Sequence, residues 1–291
     1  MNKKIPKLSI GTIILLLIIT LLSFSNNNYN NKSYALDDEI LTLHFLDVGQ
    51  GDSIFIELPN DETLLIDAGE KNYGEFVYEY ITDLSYDAID YVVGTHPHTD
   101  HIGGLETIIN NFEIGSIYMP KASSNTKTFL SLLQTIEDKN LTINTAKKGV
   151  NIIEEDNLLV TVLSPSENEY DDLNNYSVVL KIVYYDNSFL FMGDAEKIIE
   201  EKILDDVDVD VIKIGHHGSN TSSSKNFVDN VSAQYGIIQV GLDNKYEHPH
   251  NQVIKRWENS GTIIYRTDID GNIIVKSDGS NIIVEKEKWW K

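Results

Sequence analysis

The stretch Thr95-His96-Pro97-His98-Thr99-Asp100-His101 places three histidines and one aspartate within six positions, directly after the apolar segment from Tyr91 to Val93. Imidazole and carboxylate groups bind zinc, and they also suit manganese or iron. Four such groups on one tight loop can serve two ions about 3.5–4 Å apart. Only eight histidines occur in the chain, so this clustering favours a metal site over a polar surface loop.

Three further segments end in polar residues of the same kinds, each after an apolar strand. Leu64-Leu-Ile-Asp67 and Phe189-Leu-Phe-Met-Gly-Asp194 each end in an aspartate, and Val211-Ile-Lys-Ile-Gly-His216-His217 ends in two adjacent histidines. An aspartate alone is also typical of a turn or of the cap of a following helix. Ligands from separate strand ends that converge on one edge of a sandwich are nevertheless what a two-ion site requires.

Strands and helices alternate along the rest of the chain, and their pattern indicates the fold class. Apolar segments bounded by turn residues predict strands at Leu41 to Leu46, Ser53 to Leu58, Thr63 to Ile66, Tyr91 to Val93, Ser116 to Met119, Leu158 to Leu163, Val178 to Tyr185, Phe189 to Met192, Val211 to Ile214, Gly236 to Val240, Thr262 to Tyr265, Ile273 to Lys276 and Ile282 to Glu285. Helical periodicity predicts helices at Tyr73 to Leu84, after Gly103-Gly104, and at Thr128 to Lys139, Glu196 to Leu204, Asn226 to Val231 and Gln252 to Ser260. Such an order predicts an α/β sandwich, two sheets packed face to face and covered by helices. We find no internal repeat and no linker after about Asp38, so residues 39–291 are expected to form a single domain.

The first 38 residues have the composition of a signal peptide or a membrane anchor with a spacer. Lys3, Lys4 and Lys7 precede an apolar run from Leu8 to Leu22, which is the layout of a secretory signal. The triplet Ser33-Tyr34-Ala35 fits a cleavage site, and an uncleaved single-helix anchor is the alternative. Either outcome predicts an extracellular or cell-surface protein.

The overall composition excludes several classes of chemistry. No cysteine occurs in the 291 residues, which excludes disulfides, thiolate nucleophiles and cysteine metal ligands. The formal net charge is −22, and the charged residues ahead of Leu36 are all lysines, so cleavage would make the protein more acidic still. Because affinity for the phosphate backbone requires clustered lysine and arginine, an extended basic DNA-binding face is not expected.

The motifs together resemble the metallo-β-lactamase superfamily, whose His-x-His-x-Asp-His run ends one strand and leads into a helix. The resemblance implies an αββα sandwich holding one or two divalent ions, zinc or manganese. It implies that His96 and His98 ligate a first ion and that Asp100 and His101 ligate a second. Asp194 would bridge both ions, and Asp67 would support the ligand loop from behind. One of the pair His216-His217 would complete the second ion; we expect it to be His217, with His216 facing the substrate.

A subgroup is indicated by segments that are similar to the soluble domain of the ComEC family of bacterial DNA-uptake (competence) proteins. These segments are Leu46-Asp-Val-Gly-Gln-Gly-Asp-Ser53, His96 to Gly104, Asn174-Asn-Tyr-Ser177, Gly193-Asp-Ala-Glu196, Gly215-His-His-Gly-Ser219, Tyr246-Glu-His-Pro-His250 and Tyr265-Arg-Thr-Asp-Ile-Asp-Gly271. The likeness implies a phosphodiesterase or nuclease. In such an enzyme Asp100 would orient the attacking water, and His216 and His248 would protonate the leaving group or bind its oxygen.

Two departures from the family pattern limit what the resemblance implies. Many superfamily hydrolases place a further histidine between the first cluster and the bridging aspartate, but no histidine occurs here between His101 and His216. Asn174-Asn175 stands about where it would be expected, so the first ion is predicted to be weaker, exchangeable or absent. The uptake proteins also carry a many-helix membrane channel, whereas this chain has one hydrophobic segment and is not expected to form a DNA channel alone.

Three functions remain open on the sequence. The first is an exported metal-dependent phosphodiesterase or nuclease, with a phosphodiester or nucleic acid as substrate. The second is a metal-dependent hydrolase of acyl compounds such as a lactone or β-lactam. The third is a non-catalytic accessory protein that retains the fold and acts in the envelope or binds DNA. Contact with a membrane is expected only through the N-terminal segment, if it is uncleaved.

Overall fold

The computed structural model describes residues 40–288, which lie within one unit, Glu39–Lys291. The predicted signal or anchor and its cleavage triplet lie outside these described residues. Within residues 40–288, no helix is both long enough and apolar enough to cross a membrane.

The strands of the described chain follow the predicted apolar segments closely. They are β1 (Leu41–Phe45), β2 (Ile54–Glu57), β3 (Thr63–Ile66), β4 (Ala88–Val93), β5 (Glu113–Met119), β6 (Ile143–Thr145), β7 (Asn151–Glu154), β8 (Leu158–Ser164), β9 (Val179–Tyr184), β10 (Asn187–Phe191), β11 (Val211–Lys213), β12 (Tyr235–Ile238), β13 (Ile263–Arg266), β14 (Asn272–Ser277) and β15 (Ile282–Glu287). The helices are α1 (Gly74–Asp83), α2 (Thr99–Ile102), α3 (Leu105–Asn111), α4 (Lys127–Asp138), α5 (Lys197–Glu200), α6 (Lys225–Val231), α7 (Asn251–Asn259) and α8 (Thr267–Asp270).

These strands form two sheets whose parallel portions decide where polar loops meet. One sheet has the order β15-β14-β1-β2-β3-β4-β5-β6, and the other has the order β13-β12-β11-β10-β9-β8-β7. In the first sheet β1 to β3 form an antiparallel meander, and β3 to β6 run parallel. In the second sheet β10 to β13 run parallel. The carboxyl ends of parallel strands share one edge of a sheet, which is where ligands bind in α/β folds.

Three apolar layers hold the sheets and helices together. Side chains such as Phe45, Ile56 and Phe189 fill the space between the two sheets. On the outer face of the first sheet, residues such as Val77 of α1 join a second cluster, and on the outer face of the second sheet Trp257 of α7 joins a third. This is the αββα sandwich of the metallo-β-lactamase fold, so the predicted fold class is confirmed.

Two details of the predicted pattern differ from the structure. The edge strands β6 and β7 were not predicted from the sequence. All three residues of β6 are exposed, so this strand has no alternating apolar pattern. The helix predicted from Glu196 to Leu204 is wrong in length, since α5 ends at Glu200. Glu201 follows directly, and negative charge near a helix C-terminus opposes the helix dipole.

Candidate metal centre

The polar residues predicted to form a site converge on one edge of the sandwich. Asp67 follows β3 and the His96–His101 run follows β4 in the first sheet, whereas Asp194 follows β10 and His217 follows β11 in the second. Each lies just beyond the carboxyl end of a strand that has a parallel neighbour in its sheet. The topology therefore brings together residues that are far apart in the sequence.

Asp67 holds the His-rich loop from behind. Its buried carboxylate accepts hydrogen bonds from the backbone N–H of Thr95 at 2.8 Å, from the hydroxyl of Thr95 at 2.6 Å and from Nδ1 of His101 at 2.8 Å. Because Nδ1 of His101 carries the donated proton, Nε2 is the atom left to face the site. Burial raises the pKa of Asp67 even though His101 and Thr95 act against the increase.

Asp194 is the centre of the cluster. Its Oδ2 atom lies 3.2 Å from Nε2 of His101, 3.4 Å from Nε2 of His217, 3.9 Å from Nε2 of His96 and 3.8 Å from Nε2 of His216. Burial alone would raise the pKa of this carboxyl, but His217, His101 and His216 hold its pKa well below the ordinary value. A single carboxylate oxygen surrounded by imidazoles is suited to bridging two cations.

His216 and His217 take different places at the end of β11. Both have left-handed backbone conformations, with φ near 51°, and this turn allows consecutive side chains to reach the site. His217 is buried, its Nδ1 donates to the carbonyl of Gln239 at 3.0 Å, and its Nε2 lies 3.6 Å from Oδ2 of Asp100. His216 is partly exposed, and its Nδ1 lies 2.9 Å from the hydroxyl of Thr221. The structure thus places His217 inside the cluster and His216 at its mouth.

His96 and His98 form the other side of the cluster. Nε2 of His96 and Nδ1 of His98 face each other at 2.9 Å, and Nδ1 of His96 lies 3.4 Å from the hydroxyl of Ser177. Burial, together with the adjacent His101, holds the pKa of His96 well below its ordinary value. His96 is therefore neutral at neutral pH, which is the state in which imidazole binds a metal.

The electrostatics of the cluster favour positive charge at its centre. Burial alone would lower the pKa values of His101 and His217, but the carboxylates of Asp194 and Asp52 raise both well above the ordinary value. Burial alone would raise the pKa of Asp100, but the imidazoles of His217, 3.6 Å away, and of His101 lower it. Carboxylates that draw protons onto imidazoles also attract a divalent cation to the same place.

The donor atoms fit a metal centre. In the described part of the chain, Nε2 of His101, Nε2 of His217 and Oδ1 of Asp194 are buried and make no hydrogen bond. Buried polar atoms normally have partners, so three buried ligand-type atoms without hydrogen bonds in one cluster fit a bound cation. The described residues contain four donor groups compact enough to hold a cation: His96-His101-Asp194, Asp100-His101-His217, Asp52-Asp67-His101 and Asp52-Asp194-His217. His98 belongs to none of them and adjoins the first through His96.

A cavity of about 350 Å³ opens over the cluster. Its lining residues are Gln50, His98, Thr99, Asp100, Thr126, Asn174, Asp194, His216, His217, Tyr246 and His248. Among residues 40–288, no lysine or arginine lines it. Asn174 is buried with Oδ1 making no hydrogen bond in the described chain, whereas its neighbour Asn175 donates to Glu196 at 3.2 Å. Of the asparagine pair, Asn174 is therefore the one that faces the cavity.

His248 sits on a loop that is tied together by Asn244. The side chain of Asn244 accepts from the backbone N–H groups of Tyr246 and His248 and donates to the carbonyl of Gly241. Tyr246 is half exposed and stacks on His248, with ring centroids 5.7 Å apart and ring planes at 24°. Burial and the nearby His217 and His216 lower the pKa of His248 to about 4. A neutral imidazole and an exposed aromatic ring thus form one wall of the cavity.

Sequence reasoning missed two charged residues behind the cluster. Asp52 lies in the loop between β1 and β2, and Lys213 is the last residue of β11; they form a buried ion pair. Gly51, at φ 144°, allows this loop to approach, since a Cβ there would lie 2.2 Å from the carbonyl oxygen of Asp100. The available signal was Lys213 itself, a charged residue in the otherwise apolar segment Val211-Ile-Lys-Ile214.

Comparison with known families agrees with this geometry. Residues 46–241 match the sequence profile of the metallo-β-lactamase superfamily. The chain belongs to the metallo-β-lactamase superfamily. Members are generally hydrolases, and the fold typically binds one or two divalent metals, which the His and Asp groups above can accommodate.

The metallo-β-lactamase domain is similar to curated competence proteins, which confirms the resemblance to ComEC-type proteins. It is 29% identical over 248 residues to ComE operon protein 3 of Bacillus subtilis, covering 78% of this chain and 32% of that protein. It is 28% identical over 230 residues to Competence protein ComA of Neisseria gonorrhoeae, covering 77% of this chain and 30% of that protein. The chain thus spans about a third of the length of the curated relatives it matches.

Solved structures share the metallo-β-lactamase fold at low sequence identity. The metallo hydrolase Igni18 of Ignicoccus hospitalis superposes with a TM-score of 0.52 and 13% identity, covering 86% of this chain and all of that one. At this identity the likeness shows the fold alone.

Proposed function

We propose that this protein is a metal-dependent phosphodiesterase that acts on nucleic acid or nucleotides. The observation that carries the proposal is the cluster of imidazoles around Oδ2 of Asp194, which opens directly into the cavity. The competence proteins that the chain resembles support nucleic acid as the substrate class.

Following the pattern of the superfamily, we assign the residues of the cluster to two cations, zinc or manganese. His96 and His98 would hold the first, Asp100, His101 and His217 the second, and Asp194 would contact both. Bound divalent cations supply Lewis acidity and lower the pKa of a water molecule to about 7.

Hydrolysis of a phosphodiester requires that the oxygen of a water molecule is oriented toward phosphorus and that a proton is transferred to the leaving oxygen. The bond between phosphorus and the leaving oxygen breaks, the oxygen of water joins phosphorus, and a proton from that water ends on the leaving oxygen. Asp100 lines the cavity with its lowered pKa and is ionised at neutral pH, so it accepts a hydrogen bond from the water and orients it.

We assign His216 and His248 to binding the leaving oxygen, because the pKa values of both are lowered and a neutral imidazole donates a hydrogen bond through its N–H. Their ring centroids lie 5.6 Å apart at the mouth of the cluster, and Nδ1 of His248 is buried without a hydrogen bond in the described chain. An N–H group in this position donates to an oxygen on which negative charge develops.

Because no lysine or arginine lines the cavity among the described residues, the cavity favours a substrate with one negative charge at the reacting phosphorus. Asn174 and Gln50 offer amide groups, and Nε2 of Gln50 is buried and makes no hydrogen bond among the residues described. The bound cations would neutralise the charge of the reacting phosphate. The amides of Asn174 and Gln50 are uncharged, so they would not neutralise a second phosphate charge. An internucleotide diester of a single strand, with a base stacked on Tyr246, fits this wall better than a duplex held by many phosphates.

We propose further that the enzyme works outside the cytoplasmic membrane, as the N-terminal lysines and apolar run indicate. Its partner is then a phosphodiester or nucleic acid present at the cell surface, and any membrane contact is through the N-terminal segment.

The test is a parallel assay of two substrates on the purified protein. Bis(p-nitrophenyl) phosphate and a chromogenic cephalosporin are each incubated with zinc, manganese or chelator. The same assay is run on His96→Ala, on Asp194→Ala, and on Asp83→Ala as a control, because Asp83 is an exposed residue at the end of α1.

We expect metal-stimulated hydrolysis of the diester that is lost in the first two variants and kept in the control. Metal-stimulated turnover of the cephalosporin alone would contradict the proposal in favour of acyl substrates. Retention of DNA by the chelated protein, without turnover of either substrate, would contradict it in favour of a binding role.

A further inference from the structure

The buried ion pair between Asp52 and Lys213 has no part in the reaction proposed above. The side chain of Lys213 is fully buried, and that of Asp52 is 2% exposed. Nζ of Lys213 contacts Oδ2 of Asp52 and donates to the carbonyl of Gly193 at 3.0 Å. Gly193 directly precedes Asp194, so the lysine joins the loop of Asp52 to the backbone beside the centre of the cluster.

Asp52 faces two imidazoles from the side opposite Asp194. Its Oδ1 atom lies 3.3 Å from Nδ1 of His217, and its Oδ2 atom lies 3.7 Å from Nδ1 of His101. The Nε2 atoms of the same two rings lie 3.4 and 3.2 Å from Oδ2 of Asp194. Both rings therefore stand between two carboxylates, with Asp52 behind them.

Asp52 acts on these rings through its charge, and it does not determine which ring nitrogen carries the proton. Nδ1 of His101 already donates to Asp67 at 2.8 Å, and Nδ1 of His217 already donates to the carbonyl of Gln239 at 3.0 Å. Oδ1 of Asp52 makes no hydrogen bond among the described residues. When a cation binds at Nε2, the ring becomes more positive at Nδ1, and a fixed negative charge behind it strengthens the ligand.

A role in folding alone does not account for this pair. Buried ion pairs are often replaceable by apolar residues of similar volume without loss of stability. Here the pair lies behind two predicted ligands of the same cation and not behind His96 or His98. Because the pair lies behind the predicted ligands of only one cation, its position favours a role in positioning those ligands over general stabilisation of the fold.

We propose that Asp52 and Lys213 are a positioning pair for the cation held by His101 and His217. Asp52 supplies negative charge behind the two imidazoles, and Lys213 fixes that carboxylate together with the backbone that carries Asp194. The inference rests on the metal centre of the proposed function and not on its substrate.

The test measures manganese affinity by titration calorimetry on chelator-treated protein, with the unfolding temperature of the metal-free protein measured alongside. Asp52→Asn is examined in two backgrounds, His98→Ala, which leaves the second cation, and His217→Ala, which leaves the first. We expect affinity to fall about 10- to 100-fold in the His98→Ala background and to change by less than about threefold in the other.

The double variant Asp52→Asn/Lys213→Met separates positioning from folding. Each single change leaves a buried charge unpaired and lowers the unfolding temperature, whereas the double change removes both charges and restores it. We expect the loss of manganese affinity to persist in the double variant. Recovery of affinity together with stability would overturn the inference, as would an equal loss in the two backgrounds.

Because the readout is cation affinity, failure of the proposed function is distinguishable from failure of this inference. A wild-type protein that binds manganese but hydrolyses no phosphodiester contradicts the function and leaves the positioning pair standing. A wild-type protein that binds no divalent cation contradicts both.

Discussion

Nε2 of His101 and Oδ2 of Asp194 lie 3.2 Å apart, although one residue follows a strand of the first sheet and the other follows a strand of the second. The contact joins the two halves of the sandwich at the edge where their parallel strands end. Any change that separates the sheets at this edge therefore also changes the donor set for a cation, which couples the stability of the fold to metal binding.

The support of His101 by Asp67 is testable by removing its charge. Asp67→Asn keeps the size of the side chain but weakens the acceptor for Nδ1 of His101, and we expect metal affinity to fall about 10- to 100-fold. Manganese titration of the metal-free protein measures the change. Asp83→Asn, at an exposed site, is the control, and an unchanged affinity in Asp67→Asn would contradict the supporting role.

Asn174 and Asn175 stand about where many superfamily hydrolases have a further histidine ligand, and the structure indicates which of the two takes that position. Asn174 faces the cavity, whereas Asn175 is bonded to Glu196. We expect Asn174→His to add an imidazole to the cavity that His98 also lines and to tighten binding of the weaker cation by about tenfold or more.

Asn175→His is the matched control for the same experiment, because the new ring would replace hydrogen bonds to Glu196 instead of entering the cavity. Calorimetric titration with manganese distinguishes the two variants. Equal effects of both substitutions would show that the asparagine pair does not mark the missing ligand.

Tyr246 is expected to stack on a base of the substrate. Loss of base stacking in Tyr246→Ala should raise KM about tenfold for thymidine 5′-(p-nitrophenyl phosphate) and leave KM for methyl p-nitrophenyl phosphate unchanged. Tyr185→Ala is the matched control, since Tyr185 is 48% exposed, close to the 50% of Tyr246, and does not line the cavity. A similar rise in KM for both substrates would argue against stacking.

Glu57 gives the fold a pH dependence of known sign. Partial burial alone would raise the pKa of Glu57, but hydrogen bonds from His44 and Tyr86, each 2.8 Å long, lower it below the ordinary value. A carboxyl whose pKa is lowered by folding stabilises the protein above its unfolded pKa, about 4.3. That stabilisation is lost as the pH falls through the folded value.

We therefore expect Glu57→Gln to lower the free energy of unfolding by about 1 kcal/mol at pH 7, a modest value because the side chain is partly exposed. The difference from wild type should shrink as the pH falls below the unfolded pKa. Urea denaturation at pH 7 and under acid conditions measures it, with the exposed Glu113→Gln as control. A deficit of the same size at both pH values would contradict the assignment.

Much of the site was predictable because metal chemistry restricts residue types locally. The composition of the run from His96 to His101 indicates a metal site. Asp194 and His217 are indicated as further candidates by their positions at the ends of apolar strands. The α/β sandwich followed from the order of strands and helices, and the αββα arrangement from the resemblance to the metallo-β-lactamase superfamily. These signals depend on residues that are neighbours in the sequence.

The residues behind the site were not predictable by the same reasoning. Asp52 and Lys213 meet only because the loop after β1 and the end of β11 reach the same edge from different sheets. The sequence around each residue does not indicate that the two form an ion pair. The exposed edge strand β6 was missed for a related reason, since its pairing with β5 is set by neighbours in space.

The central claim is tested most directly by measuring bound manganese or zinc per chain and diester hydrolysis in the same samples during stepwise loading of the chelated protein. The account predicts that turnover of bis(p-nitrophenyl) phosphate rises with the metal bound at the Asp194 cluster and is absent from Asp194→Asn. Fully loaded wild-type protein without turnover, or equal turnover with chelator, would contradict it.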